Sequence, residues 1–254
     1  MPTFSANLGF LWQEHTLADA IRAAHTAGFN AVECHFPYNE PIMDVCEALE
    51  STSVSMLGLN TIRGSLNAGL AALPDKIPEA RQAIDQAFSY GSQMGAENVH
   101  VMAGKTTGSS AETTYLENLR YASEIASRHD MSVLIEPLNP FDMPGYFLRD
   151  TVHACELLQT LNCSNVRLMF DCYHVGRTEG HVIERFNACY SFVGHIQFAS
   201  VPDRGPPDTG ELDYETVFRA IDRSGWKQPL GAEYIVKGST EDTLNWMHGL
   251  NPTE

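Results

Sequence analysis

Short apolar or β-branched runs alternate with longer amphipathic stretches from one end of the chain to the other. The short runs predict eight strands, at 4–8, 31–36, 55–60, 98–102, 132–137, 166–172, 192–199 and 230–235. Between them, apolar residues recur at three- and four-residue spacing over 16–27, 78–94, 112–129, 150–161 and 214–223, the period of a helix with one buried face. Thr16, Asp150 and Asp213 stand where N-caps belong, and Gly28 and Gly225 where helices should stop. Helices 16–27 and 78–94 end only a few residues before the next strand, as tight αβ connections require. Repeated βα units over 254 residues predict an α/β protein, a single (β/α)8 TIM-barrel domain spanning 1–254. A doubly wound open sheet is the structural alternative, but its early glycine-rich phosphate turn is absent.

Composition narrows the function classes. With 43% hydrophobic and 19% charged residues the chain is long enough for one large core. Sixteen Lys and Arg stand against 32 Asp and Glu, a formal charge of −16, so the long-range field repels phosphate backbones and anionic lipid surfaces. Neither a nucleic-acid nor a membrane partner is expected. The cysteines, at 34, 46, 155, 163, 172 and 189, form no CxxC pair and lack the density of a disulfide scaffold, which suits reduced thiols in a cytosol. No basic segment followed by an apolar run opens the chain, so a cytoplasmic location is expected, and Asn162-Cys163-Ser164 reads as a chance sequon.

In a barrel of this kind the βα loops at the C-terminal ends of the strands build the site. Four successive strands end there on oxygen-bearing side chains: Ile135-Glu136, Phe170-Asp171, Ile196-Gln197 and Ala232-Glu233. A carboxylate on an apolar strand is costly to desolvate unless it is paired or bound to a cation. Singly, each would read as a carboxylate paired to an arginine in a barrel layer. Four in register favour a divalent metal, with hard oxygen donors selecting Mg²⁺ or Mn²⁺.

The runs Phe4-Ser5-Ala6-Asn7-Leu8, Phe36-Pro37-Tyr38, Ile135-Glu136-Pro137-Leu138-Asn139, Phe141-Asp142-Met143-Pro144-Gly145, Asp171-Cys172-Tyr173-His174, Gly194-His195-Ile196-Gln197, Thr209-Gly210-Glu211-Leu212-Asp213-Tyr214 and Gly231-Ala232-Glu233-Tyr234 together cover the chain end to end. Through them it resembles the hydroxypyruvate isomerase family of the xylose-isomerase-like barrels. The resemblance implies one divalent metal held by Glu136, Asp171, Gln197 and Glu233, with Glu136 and Glu233 also acting as proton donor and acceptor. It implies a small keto-acid or sugar-acid substrate, interconversion of hydroxypyruvate with 2-hydroxy-3-oxopropanoate (tartronate semialdehyde) through an enediolate, and the possibility of a homo-oligomer. A 2-oxo-tetronate isomerase or a ketose 3-epimerase would use the same site. One departure concerns substrate choice: where the family often carries Gly-Asp-Trp and Gly-Glu-Arg after the third strand, this chain has Asn60-Thr61-Ile62-Arg63-Gly64-Ser65-Leu66-Asn67-Ala68-Gly69.

An anionic substrate calls for a local cation, and Lys105 and Arg204, after strands four and seven, are the candidates beside the ordinary reading of both as surface charges. His174 and His195, near Asp171 and Gln197, are expected to touch substrate or orient a glutamate, against the alternative of buried structural histidines. His35 and His100 lie on other strands, from which they could line the pocket, but they are not counted among the site residues. An abasic-site endonuclease of the barrel type is a distant alternative, since its zinc cluster wants more histidines and the segment 202–207 offers no Asp-x-His pair. Gly104-Lys105-Thr106 is no P-loop, because Val99 stands where the first glycine is needed.

Overall fold

The computed structural model describes residues 2–65 and 68–249. Nine parallel strands run β1 (Phe4–Asn7), β2 (Ala31–Glu33), β3 (Ser55–Met56), β4 (Gly58–Asn60), β5 (Asn98–His100), β6 (Ser132–Ile135), β7 (Val166–Asp171), β8 (Val193–Phe198) and β9 (Leu230–Ala232). Their spatial order is β3-β2-β1-β9-β8-β7-β6-β5-β4, so β3 and β4, at the two ends, are halves of one barrel strand. The break falls at Leu57, whose carbonyl is taken by the side-chain amide of Asn98, 2.8 Å away. Backbone bonds from Leu57 to Val32 (2.7 Å), from Cys34 to Gly58 (3.0 Å) and from Asn60 to His35 (2.9 Å) close the ring on β2. The eight predicted strands are therefore present, as a closed parallel TIM barrel.

The strands are buried on both faces, inner layers on one side and helices on the other, so they read as near-continuous apolar runs. Several stop earlier than their sequence pattern suggests: 31–36 is regular strand only to Glu33 and 98–102 only to His100, after which the bonds of Cys34 and His35 to β4 and of Val101 to Leu134 are the last before the backbone turns into loops at the site.

The predicted helices appear as α1 (Leu17–Thr26), α3 (Ile77–Gln93), α4 (Ser109–Arg128), α5 (Thr151–Leu161) and α8 (Tyr214–Arg223), joined by α2 (Ile42–Thr52), α6 (Cys172–Thr178), α7 (Val182–Cys189) and a short α9 (Trp246–Gly249). Each proposed N-cap accepts a backbone N–H: Thr16 from Asp19 at 3.2 Å, Asp150 from His153 at 2.8 Å and Asp213 from Thr216 at 3.2 Å. Gly28 and Gly225 have φ of +98° and +86°, the left-handed conformation that ends a helix most cheaply on glycine. Edge-on aromatic contacts among Phe4, Phe198, Phe218 and Trp246, with centroids 4.9–5.6 Å apart, tie β1, β8, α8 and α9 together. All six cysteines are unpaired, and no helix among the described residues is long and apolar enough to cross a membrane.

Candidate active site

The strand ends bring together a buried polar cluster that the apolar pattern of each strand would not otherwise tolerate. Asp171 and Gln197 are register partners on β7 and β8, Gln197 pairs in turn with Gly231 on β9, and Asn7 pairs with Glu33 across β1 and β2. Glu136 and Glu233 each lie one residue past their strand. Glu33, Glu136, Asp171, Gln197 and Glu233 are all at most 5% exposed.

Local chemistry fixes each of them. Asp171 ends β7 and at once caps α6, its Oδ1 accepting the N–H of Tyr173 at 2.8 Å, which leaves Oδ2 buried and without a hydrogen-bond partner. Glu233 is held by three groups: Asn7 Nδ2 at 2.9 Å and His35 Nε2 at 3.0 Å on Oε1, and the Arg204 guanidinium on Oε2. Arg204 also lies 3.9 Å from Asp171 Oδ2 and 4.0 Å from Asp142 Oδ2. Its guanidinium carbon sits 4.6 Å from the Phe10 ring centre and 5.0 Å from that of Tyr173, two aromatic faces that fix a planar cation. The Arg204 backbone has φ +54°, held by its N–H to Ser200 and by Ile235 donating to its carbonyl.

His174 presents its two nitrogens differently. Nδ1 faces the backbone N–H of Asn139 at 3.0 Å and that residue's side-chain amide at 2.8 Å. Nδ1 is therefore the acceptor, and in the neutral ring the proton sits on Nε2. That N–H side faces Asp171 Oδ2 at 3.7 Å and Glu136 Oε1 at 3.9 Å. Glu136 Oε2 lies 3.5 Å from His100 Nδ1. His195 bonds Glu33 at 3.0 Å on the far side of Gln197.

The electrostatics follow from crowding carboxylates out of water. Burial, compounded by Glu233 and Asp171, pushes Glu136 well above the usual carboxyl range. Asp171 rises to about 7, through burial and then the charge of Glu233. At Glu233 burial pushes the same way but Arg204 and His35 outweigh it, holding the group down at about 2. Burial brings His100 to about 3, and burial with the charge of Arg204 does the same for His174, so both rings are neutral. His195 moves the other way, since the Glu33 charge and hydrogen bond overcome its burial.

The donor set can be tested against a divalent cation by its loose ends. Glu136 Oε1, Asp171 Oδ2 and Gln197 Oε1, on adjacent strands, and Glu33 Oε1, which lies against Gly231, are buried oxygens with no hydrogen-bond partner among the described residues. Three hard, unsatisfied oxygens at one strand-end layer fit such an ion. Donor atoms of Glu136, Asp171 and His174 come within 4.8 Å of one another, a group that could hold a metal, with His174 better suited to donate a hydrogen bond than to ligate.

Of the sequence-predicted residues, the structure gathers Glu136, Asp171, His174 and Arg204 with Glu233, and places Gln197 and His195 in a shared network with Glu33. Lys105 stands apart: its backbone bridges to Tyr146, and its ammonium makes no ion pair or hydrogen bond with the cluster among the described residues. Asn7, Glu33 and Arg63 do not stand out in the sequence. Glu33 ends β2 on an apolar run just as Glu136 follows β6, but a strand extended to residue 36 hides it in mid-strand. Arg63 belongs to the unusual segment after the third strand, of which residues 66 and 67 lie outside those described. Its guanidinium covers the Phe36 ring at 4.5 Å, and its carbonyl accepts from Ala68 and Gly69. Gly9, Phe10, His35, Phe36 and Arg63 line an open cleft of about 490 Å³.

A family model described as a xylose isomerase-like TIM barrel matches residues 21–250. The chain belongs to this family. A 2-oxo-tetronate isomerase of Cupriavidus necator is 36% identical over 97% of this chain and 98% of its own. A hydroxypyruvate isomerase of Escherichia coli is 35% identical over the same shares. These relatives mark the chain as an isomerase. A crystal structure from Brucella melitensis, described as an AP endonuclease of family 2, superposes with a TM-score of 0.94 at 33% identity, covering 99% of this chain and 100% of that one. D-psicose 3-epimerase of Clostridium cellulolyticum, at 15% identity and a TM-score of 0.80 over 96% and 89% of the two chains, shares the fold.

Proposed function

We propose that this protein interconverts hydroxypyruvate and 2-hydroxy-3-oxopropanoate by moving a proton between adjacent carbons, at a site where Glu136, Asp171, Gln197 and Glu233 hold one divalent cation, Mg²⁺ or Mn²⁺. The observation that carries this reading is the trio of buried, unpartnered oxygens on Glu136, Asp171 and Gln197 beside a glutamate already ion-paired to Arg204. When bound, the cation supplies a Lewis acid for the carbonyl and hydroxyl oxygens of the substrate, where negative charge develops.

The chain's own residues do the rest. Glu233, ionised and steadied by Asn7, His35 and Arg204, takes the proton from the hydroxymethyl carbon. Glu136, on the other flank of Asp171 and Gln197 and still carrying its proton, returns one to the former carbonyl carbon, while the hydroxyl proton passes from the hydroxymethyl oxygen to the former carbonyl oxygen. His174 aims its Nε2–H at the oxygens between them. Arg204, clamped between Phe10 and Tyr173, offers a fork of donors to the substrate carboxylate, a role for which Lys105, outside the cluster, is less well placed.

A second reading, isomerisation of the four-carbon 2-oxo-tetronate, is favoured by the name of the Cupriavidus relative and moves the proton between the same two carbons of the substrate. The likeness to the Brucella protein raises a third, cleavage at abasic sites. Against it stand an oxygen-rich donor set, two neutral histidines of which one directs an N–H inward, and a net charge of −16. The deciding experiment gives Mn²⁺-loaded protein hydroxypyruvate, 2-oxo-tetronate, a free ketose and abasic-site DNA in parallel, in D2O for the first three. Turnover of the three-carbon acid with deuterium at the new C–H bond is expected. Turnover of the ketose or the DNA with both acids untouched would refute the proposal.

A further inference from the structure

We infer that Glu33 is the positioning residue that makes Gln197 an oxygen donor, an inference that rests on the cation reading above. An amide has two ends of nearly equal size, and a half-turn of its terminal torsion exchanges them; only the oxygen end ligates a hard cation. Gln197 is 2% exposed, so water cannot decide the matter. Glu33 does. Its Oε2 accepts from His195 Nε2 at 3.0 Å and from Gln197 Nε2 at 2.9 Å. A carboxylate only accepts, so the end of Gln197 that meets it is the NH2, and Oε1 is left as the free end, buried and without a hydrogen-bond partner among the described residues. Turning the amide over would set its oxygen against the carboxylate and lose a charge-assisted hydrogen bond.

The sequence makes room for this arrangement at one further position. Glu33 reaches across β9 over Gly231, where an added Cβ would lie 2.0 Å from Glu33 Oε1 and 3.0 Å from Gln197 Cγ. Glycine there is required by the close approach of a side chain from two strands away. His195, bonded to the same Glu33 oxygen as Gln197, holds the carboxylate in place. Three strands thus contribute to a support for the cation site that takes no part in the proton transfer itself.

The test is a double-mutant cycle read as Mn²⁺ affinity by isothermal titration calorimetry on metal-stripped, full-length protein: wild type, Glu33→Gln, Gln197→Ala and the double variant. Glu33→Gln is expected to weaken binding by the ~10- to 100-fold typical of a lost ligand-orienting partner. In the Gln197→Ala background the same change is expected to cost no more than ~2-fold, because nothing remains to orient. An undiminished loss in that background would overturn the inference, since Glu33 would then act only through its charge or through folding. Wild-type-like affinity of Glu33→Gln would overturn it too. Wild-type protein that binds no Mn²⁺ would bring down both the inference and the cation reading, whereas firm wild-type binding indifferent to residue 33 would bring down the inference alone. Should Glu33→Gln not fold, Glu33→Asp, which keeps the charge but falls one methylene short, takes its place in the cycle with the same expectations.

Discussion

Replacing Arg204 by Met keeps much of its stem and removes the cation, leaving Glu233 and Asp171, 5% and 2% exposed, without their guanidinium. Stripping one partner from a buried ion pair costs about 3–5 kcal/mol, chiefly as the desolvation of the charge left behind. Loss of the two aromatic contacts adds about 1 kcal/mol. At about 2–4 °C per kcal/mol for a chain of this size, metal-free Arg204→Met should melt at least ~6 °C below the metal-free wild type. A divalent cation would supply the missing positive charge, so the gap should narrow when both proteins are loaded with Mn²⁺. The assay is thermal unfolding by circular dichroism in EDTA and in saturating Mn²⁺. A variant that melts with the wild type in EDTA, or whose deficit is the same with and without metal, would refute the reasoning that Arg204 neutralises a cation site.

Glu136→Gln and Glu233→Gln should each keep the fold but lower turnover by at least the ~10²-fold of a lost acid–base group, and near-wild-type turnover would transfer that role to another residue. The metal-free protein should lose stability as pH rises above about 6.5. Asp171, up at about 7, and Glu136, also raised, favour the fold only while protonated, a contribution present below their ordinary range and lost as pH passes their folded values; Glu233, down at about 2, contributes in the opposite sense and loses it only in strong acid. His100 and His174, brought down to about 3, act in the opposite sense up to the ordinary imidazole value, so melting scans in EDTA should stay roughly level from about pH 5 to about pH 6.5, fall from there to about pH 8 and show their largest Mn²⁺ rescue at the upper end; a metal-free profile that stays flat above about pH 6.5 would contradict this. Gly9→Ala would drive a Cβ into the His35 ring, 2.2 Å away, so displacing the group that holds Glu233; a loss of about 1–3 kcal/mol with reduced kcat is expected, and unchanged melting and kcat would show that the ring has room to move.

Much of the architecture was legible because it rests on local rules. The alternation of short apolar runs with helical periods pointed to the barrel, and Thr16, Asp150 and Asp213 cap as their side chains dictate. Four of the site's oxygen-bearing residues stood out because a carboxylate or amide ending an apolar strand is anomalous by itself. Glu33 follows the same rule but was concealed, because Cys34, His35 and Phe36 prolong the pattern past the end of the regular strand. The role of His174 depends on Asn139, 35 positions away, and that of Gly231 on a side chain from β2; neither relation leaves a periodic mark. Lys105 shows the converse limit, since a cation after a strand carries no sign of which way its loop will turn.

The charge balance of the cluster joins these residues into one argument. Glu33, Glu136, Asp171 and Glu233 place four carboxyl groups in a volume that water barely enters, with Arg204 as the permanent cation bonded among them and His195 drawn toward its charged form by Glu33. With all four ionised, two positive charges leave two negative charges uncompensated. In the metal-free protein burial, and then this imbalance, push Glu136 and Asp171 up toward their protonated forms, while Glu233, nearest the guanidinium, is held down. One divalent cation would displace the Asp171 proton and leave the cluster one charge positive, with Glu136 keeping the proton that it returns to the substrate. An anionic substrate then brings the cluster to neutrality, and Arg204, stacked on Phe10 and Tyr173 with its planar face fixed, is preorganised to offer its carboxylate a donor fork even within a protein of charge −16.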